Sequence, residues 1–187
     1  MDDREAVARQ LGREPAPFVR VAARCPFGHP AVVENAPYRP DGTPFPTSHY
    51  LTCPGLRRAV SRLEDEGVIG ELEAAIGASP AARAALAAAQ AHERRVRAAA
   101  DAALARGAPR LDDGESSARG IAGTGDDRRL KCLHAHAALA LAWPGHVLGE
   151  WVLWRALPGG WCAGPGACVP AAAVGGEPPS DHPARSS

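Results

Sequence analysis

The chain has 187 residues, enough for one compact domain with trimmings and too short for two comfortable ones. Lysine plus arginine and aspartate plus glutamate each total 21, so no net field draws the chain to nucleic acid or to an anionic membrane. Hydrophobic residues make up 45%, but many are alanine, and with three Phe, two Tyr and four Trp the core must lean on Val, Leu and Trp.

The first residues, MDDREAVARQLGRE, are charged and lack the apolar segment of a signal peptide. Asp3 to Leu11 reads as a short helix, with Val7 and Leu11 on one side. Phe18 to Cys25 alternates as a strand, placing Val19, Val21, Ala23 and Cys25 on one face and Arg20 and Arg24 on the other. Ala31 to Ala36 is a second strand. The turn residues of RPDGTPFP (39–46) separate it from a third extended run, Phe45 to Cys53. Three short strands joined by turns predict a small antiparallel sheet.

Helix follows. Leu56, Val60 and Leu63 have helical spacing, Gly67 breaks the run, and Ile69, Leu72 and Ile76 resume it. Ser79-Pro80 supplies a capping hydroxyl and a first-turn proline for an alanine- and arginine-rich helix that runs to about Arg106. Its few bulky apolar residues (Leu86, Val96, Leu104) mark it as a solvated hairpin partner, with Arg94, Arg95 and Arg97 on its wet face. Residues 107–126 read as loop. Asp127 to Trp143 reads as a helix apolar on two sides, hence buried in the middle of the fold. Glu150 to Leu157 forms one more short helix, and the Gly/Pro/Ala-rich residues 158–187 read as a disordered tail. The most apolar stretch, Leu130 to Leu157, is interrupted by three histidines, Pro144, Gly145 and Glu150, so it does not read as a membrane span.

With no leader and no span, the expected location is the cytoplasm, where the five cysteines stay reduced and are free, metal-bound or reactive. Cys25 and Cys53 each precede a proline, which holds them extended at the end of a strand. Pro54 suits the first position of the next helix, so Cys53 is its expected N-cap, where the helix dipole favours a thiolate. Cys25-Pro26-Phe27-Gly28-His29 has the outline of a metal knuckle with a single cysteine. Lys131, the one lysine of the chain, opens the cluster Lys131-Cys132-Leu133-His134-Ala135-His136. If the helix is regular through Cys132, then Cys132 and His136 share a face. If Cys132 sits in the loose first turn, Cys132 and His134 converge instead. Gly120-Ile121-Ala122-Gly123, a glycine-rich turn ahead of Lys131, has the character of an anion seat without P-loop spacing. Cys162 and Cys168 lie in the tail and carry no assignment.

The segments Arg24-Cys25-Pro26, Pro30-Ala31-Val32-Val33, PDGTPFPTSHYLTCP (40–54), AVSRLE (59–64) and KCLHAH (131–136) resemble the DUF501 family, a domain common in actinobacteria. The resemblance spans residues 6–155 and implies no established activity or cofactor. Genes of this family often neighbour those of a septum-formation initiator and an exopolyphosphatase-like protein, which points toward envelope or phosphate biology.

The expectation is thus a single α+β domain over residues 1–157: about three antiparallel strands packed on a helical bundle with one buried central helix. The leading functional expectation is a metal site of Cys25, Cys53, Cys132 and His134, with His29 or His136 as substitute ligands. Lys131 and Arg24 would form an anion-binding patch beside it. Zinc suits such a mixed nitrogen–sulfur set better than an iron–sulfur cluster does. The second expectation is a thiol enzyme with Cys53 or Cys132 as nucleophile, a histidine base and a small anionic substrate. The third is an interaction module whose cysteines pack and whose helical hairpin docks a cell-division partner.

Overall fold

The computed structural model describes residues 2–15, 17–104, 107–112 and 118–161. Its elements, in order, are α1 (Asp3–Leu11), β1 (Phe18–Arg24), β2 (Pro30–Asn35), β3 (His49–Leu51), α2 (Pro54–Asp65), α3 (Val68–Ala78), α4 (Pro80–Ala102), a single 3-10 turn (Ile121–Gly123), α5 (Leu133–Ala142) and α6 (Val147–Ala156). This is an α+β fold: a three-stranded antiparallel sheet in the order β1-β2-β3, with helices packed against it. Among the described residues, no helix is long and apolar enough to cross a membrane. The tail expectation over 162–187, with Cys162 and Cys168, lies outside the described residues, as do the last residues expected of the alanine-rich helix, 105–106.

The central strand β2 is the most buried, with Ala31, Val32 and Val33 all but inaccessible, because it is paired on both edges and covered by α5. α2 presents Leu56, Ala59, Val60 and Leu63 to the same core, the i, i+3, i+4, i+7 stripe of an amphipathic helix. Gly67 adopts the left-handed region at φ 82°, so the chain turns there and α3 adds Val68, Leu72 and Ile76. α5 lies in the middle, with Leu133 and every residue from Ala135 to Ala140 buried.

Four expectations are corrected by the structure. In β1 the faces do not alternate cleanly. Register shifts interrupt its pairing with β2 at three places, and Val19 is left exposed while Cys25 lies beyond the strand end. The third strand is only His49–Leu51. Pro44 and Pro46 have no N–H to give, and the Thr47 carbonyl accepts from the Asn35 side chain rather than from a ladder partner. Residues 127–131 are not helical. Side chains take the backbone donors there: Asp126 takes that of Arg128, and Glu73 takes that of Leu130.

The fourth correction concerns α4, which is a core element and not a solvated partner. It buries Leu86, Ala89, Gln90, Glu93 and Arg97. Its arginines also divide. Arg97 reaches the Phe45 carbonyl at 3.0 Å, Arg94 pairs with Asp127 at 2.6 Å, and Arg95 is exposed. Alanine count hid this, because the helix buries polar side chains that find partners inside.

α5 and α6 cross closely where Gly149 faces α5. A Cβ there would collide with the His136 carbonyl and lie 2.7 Å from the Ala140 Cβ. The same crossing buries His136 Nδ1 against His146 Nε2 at 2.9 Å. Burial, reinforced by the neighbouring His146, lowers the His136 pKa to about 3, and burial likewise lowers that of His146 to about 4.

Two stability outcomes follow from this crossing. Alanine is the better helix former by about 1 kcal/mol, but backbone atoms cannot yield to its Cβ. Gly149→Ala is therefore expected to destabilise by about 1–3 kcal/mol, read by urea unfolding. For His146, the unfolded chain takes up the proton near 6.5 and the folded chain only near 4, so the unfolded state binds more protons between these values. Stability should fall as pH drops through that window, with a slope of up to about 1.4 kcal/mol per pH unit from this residue. His146→Gln should show a shallower fall over the same window, and an unchanged slope would remove His146 as its source.

Candidate functional site

The site begins on one stripe of α2. Arg57, Ser61 and Glu64 stand at i, i+4 and i+7, beside the buried stripe, and they face the first turn of α5. Cys132 is the N-cap residue of α5, and its side chain makes no capping bond. The cap comes from α2 instead: Glu64 Oε1 accepts the Leu133 N–H at 2.7 Å. Because α5 starts at Leu133, His134 falls in the loose first turn and reaches the same carboxylate, Nδ1 to Oε1 at 3.2 Å. Its Nε2 lies 3.1 Å from the Arg57 carbonyl and 3.3 Å from Ser61 Oγ. A carbonyl only accepts, so Nε2 carries the proton and Nδ1 is turned toward Glu64 and the first turn of α5.

Glu64, Cys132 and His134 each offer one ligand atom, and the three atoms lie within 4.8 Å of one another. Among the described residues this is the one such group of three or more histidine, cysteine or acidic side chains. All three are partly buried. The hydrogen bond with Cys132, and then the charges of Glu64 and Cys132, outweigh burial and push the His134 pKa up to about 9.

The structure thus brings Cys132 together with His134, and not with His136, which is turned away to His146. Cys25 and Cys53 are both buried in the main apolar core and do not belong to the group. Cys53 is the N-cap residue of α2, without a side-chain cap bond. Cys25 opens a tight turn in which the Gly28 N–H reaches its carbonyl at 2.9 Å, and His29 accepts from the Cys25 N–H through its own carbonyl. Arg24 is committed to Asp3 at 2.7 Å and to the Gly28 carbonyl. Lys131 is exposed and is not among the residues that line the cavity described next.

Cys132 and His134 open onto a cavity of about 780 Å³. α2 lines it with Arg57, Arg58 and Arg62; the rest of the lining mixes apolar Leu51, Ala122 and Ala135 with polar Gln10, Thr47, His49 and Tyr50. Ala122 has φ 56°, the one positive φ among non-glycine residues described. Gln90, fully buried on α4, holds this turn by accepting the Ile121 N–H at 2.7 Å. A Cβ at Gly120 would overlap the same Gln90 side chain, so glycine is required for that approach. The glycine-rich turn therefore reaches the cavity wall through Ala122, ahead of the coil that leads into α5.

A family model described as a protein of unknown function (DUF501) matches residues 21–154. The chain belongs to this family. A search of curated proteins and a search of solved structures found no match. Within the DUF501 match fall all three converging residues and every arginine of the cavity wall.

Glu64 is the site residue that the sequence reading missed. It closes the AVSRLE segment that carries the family resemblance, but an acid at the polar edge of an amphipathic helix has no spacing signal of its own. Its double role makes it testable. Glu64→Ala should cost about 1–2 kcal/mol through the lost cap and the lost His134 contact, and Glu64→Gln, which keeps an acceptor oxygen, should cost less. Equal stability of the alanine variant and the parent chain in urea would show that the cap contributes nothing.

Proposed function

We propose that this chain carries a zinc-type metal centre on Glu64, Cys132 and His134, with its remaining coordination position open to the cavity. The observation that carries this reading is convergence. A carboxylate, a sulfur and an imidazole nitrogen lie within 4.8 Å of one another, as ligands around a shared point do. In a relay of nucleophile, base and acid, the carboxylate would stand on the far side of the ring from the sulfur. A metal ion would take the place of the proton that otherwise lies between Nδ1 and the Glu64 carboxylate.

The supporting atoms fit the same reading. The Arg57 carbonyl holds Nε2, the outer-shell partner that fixes the ring of a ligating histidine. The Leu133 N–H donates to the same Glu64 oxygen that faces His134 and so fixes the carboxylate. One sulfur, one nitrogen and one oxygen suit zinc, whereas an iron–sulfur cluster needs several thiolates, and the group holds one. Three protein ligands with a fourth position free are the pattern of a catalytic zinc, not of a closed structural one. When bound, the metal would serve as a Lewis acid toward an oxygen of whatever occupies the cavity.

A second reading keeps Cys132 as a thiol nucleophile. It is favoured by the hydrogen bond between Cys132 and His134, which sets a histidine beside the sulfur as nucleophilic thiol chemistry requires. Cys53 is fully buried in the core, so the nucleophile in this reading is Cys132.

Elemental analysis separates the two. Protein purified without oxygen, or stripped and reloaded, should hold about one zinc per chain. Cys132→Ala and His134→Ala should each lose it, while Cys25→Ala and Cys53→Ala keep it. In the cobalt-loaded protein, a thiolate-to-metal band should appear and vanish in Cys132→Ala. A folded chain that takes up no zinc or cobalt, yet alkylates fastest at Cys132 at neutral pH, would reverse the order of the two readings.

A further inference from the structure

Some arginines of the chain are ion-paired within it. Arg4, Arg20, Arg24, Arg94, Arg110 and Arg129 are each paired with a carboxylate. Arg57, Arg58 and Arg62, like several exposed arginines elsewhere, have no ion-pair partner among the described residues, and they are the arginines that line the cavity holding Cys132 and His134. They sit within two turns of α2, with Arg58 and Arg62 at i, i+4, a spacing at which like charges repel. The chain has no net charge, so this is a local concentration of positive charge and not part of a general basic surface.

We infer that Arg57, Arg58 and Arg62 form a binding site for a small molecule carrying two or more phosphoryl or carboxylate groups. Guanidinium forks match both kinds of anionic oxygen and hold them through paired hydrogen bonds. Three forks on one wall call for more than one anionic group. The volume, about 780 Å³, is that of a pocket for an organic ligand and far exceeds what inorganic phosphate fills. The apolar lining residues Leu51, Ala122 and Ala135 would cover the uncharged part of such a molecule.

The site shares its cavity with the metal centre proposed above but rests on different residues, so either can fail alone. Arg24 and Lys131, the cations expected from the sequence to bind an anion, contribute nothing to this wall.

The test uses the full chain stripped of metal, so that chelation by the probe plays no part. Pyrophosphate, tricarballylate and acetate are titrated by calorimetry at low and moderate salt. One of the two polyanions should bind saturably and tighter than acetate by roughly tenfold or more. Preference for pyrophosphate would assign a phosphorylated ligand, and preference for tricarballylate a polycarboxylate. Arg58→Gln/Arg62→Gln, two exposed positions that should leave the fold intact by circular dichroism, should weaken the preferred probe by roughly tenfold. Arg95→Gln on α4, away from the cavity, should not. Cys132→Ala should lose zinc and keep the polyanion, and the double arginine variant should do the reverse. Unchanged affinity in the folded double variant, or no saturable binding of either polyanion at millimolar concentration, would overturn the inference and leave the metal reading standing.

Discussion

The arrangement of the site depends on one carboxylate. α5 is buried along most of its length, and a buried helix must have its first N–H groups satisfied. Its own N-cap residue, Cys132, makes no side-chain capping bond, so the donor at Leu133 goes to Glu64 on α2. Capping from a second helix does two things that a local Ser or Asp could not. It ties the start of α5 to a fixed point along α2, and it leaves the Cys132 sulfur free of a capping duty. His134, one residue into the helix, then has nowhere to lie but across the same stripe, between Glu64, Ser61 and the Arg57 carbonyl. The convergence of the three ligand types follows from how α5 starts.

That starting point was the weakest part of what the sequence could reveal. Leu130, Leu133, Ala137 and Leu141 fit a helical period so well that a start near Asp127 looks natural. Competition for backbone donors decides otherwise. Thr124, Asp126 and Glu73 side chains take the N–H groups of Asp126, Arg128 and Leu130, and the chain stays irregular until Glu64 supplies the cap. Two of these acids lie far away in sequence, so no window over residues 120–135 contains the information. The elements themselves were readable, because α1, α2 and α3 are set by periodicity, by Pro54 and by Gly67, all local signals. The pairing of Cys132 with His134 was also readable, but only as one of two alternatives. The third partner was not readable at all.

α4 shows a different limit. Its composition, mostly alanine with arginine and glutamate, matches a solvated helix, and yet Gln90, Glu93 and Arg97 are nearly inaccessible. Long polar side chains can be buried when fixed partners replace water. Gln90 holds the turn of Ile121, and Arg97 holds the Phe45 carbonyl in the loop before β3. Glu93 lies 3.9 Å from His49 on that strand, and although burial pushes its pKa up, the polar neighbours His49, Ser48 and Arg97 hold it below the usual carboxylate value. α4 therefore acts as a polar strut that fixes two cavity walls, the β3 side and the Ala122 turn. Binary patterning reads such a helix as surface because it registers hydrophobicity and not satisfaction.

Three of the segments that carry the family resemblance meet in the cavity. Residues 40–54 give it Thr47, His49, Tyr50, Leu51 and Pro54. Residues 59–64 bring Ser61 and Arg62 to its wall and Glu64 to its ligand group, and residues 131–136 bring Cys132, His134 and Ala135. Cys25 and Cys53 also lie in such segments but serve the apolar core, where a thiol packs as a small hydrophobe. The three cysteines among the described residues are thus of two kinds. What separates them is whether polar partners surround the sulfur, and that is settled by the helix stripe it meets, not by its neighbours along the chain. The cavity itself is lined by three family-bearing segments together with Arg57 and Arg58 from the turn of α2 between two of them.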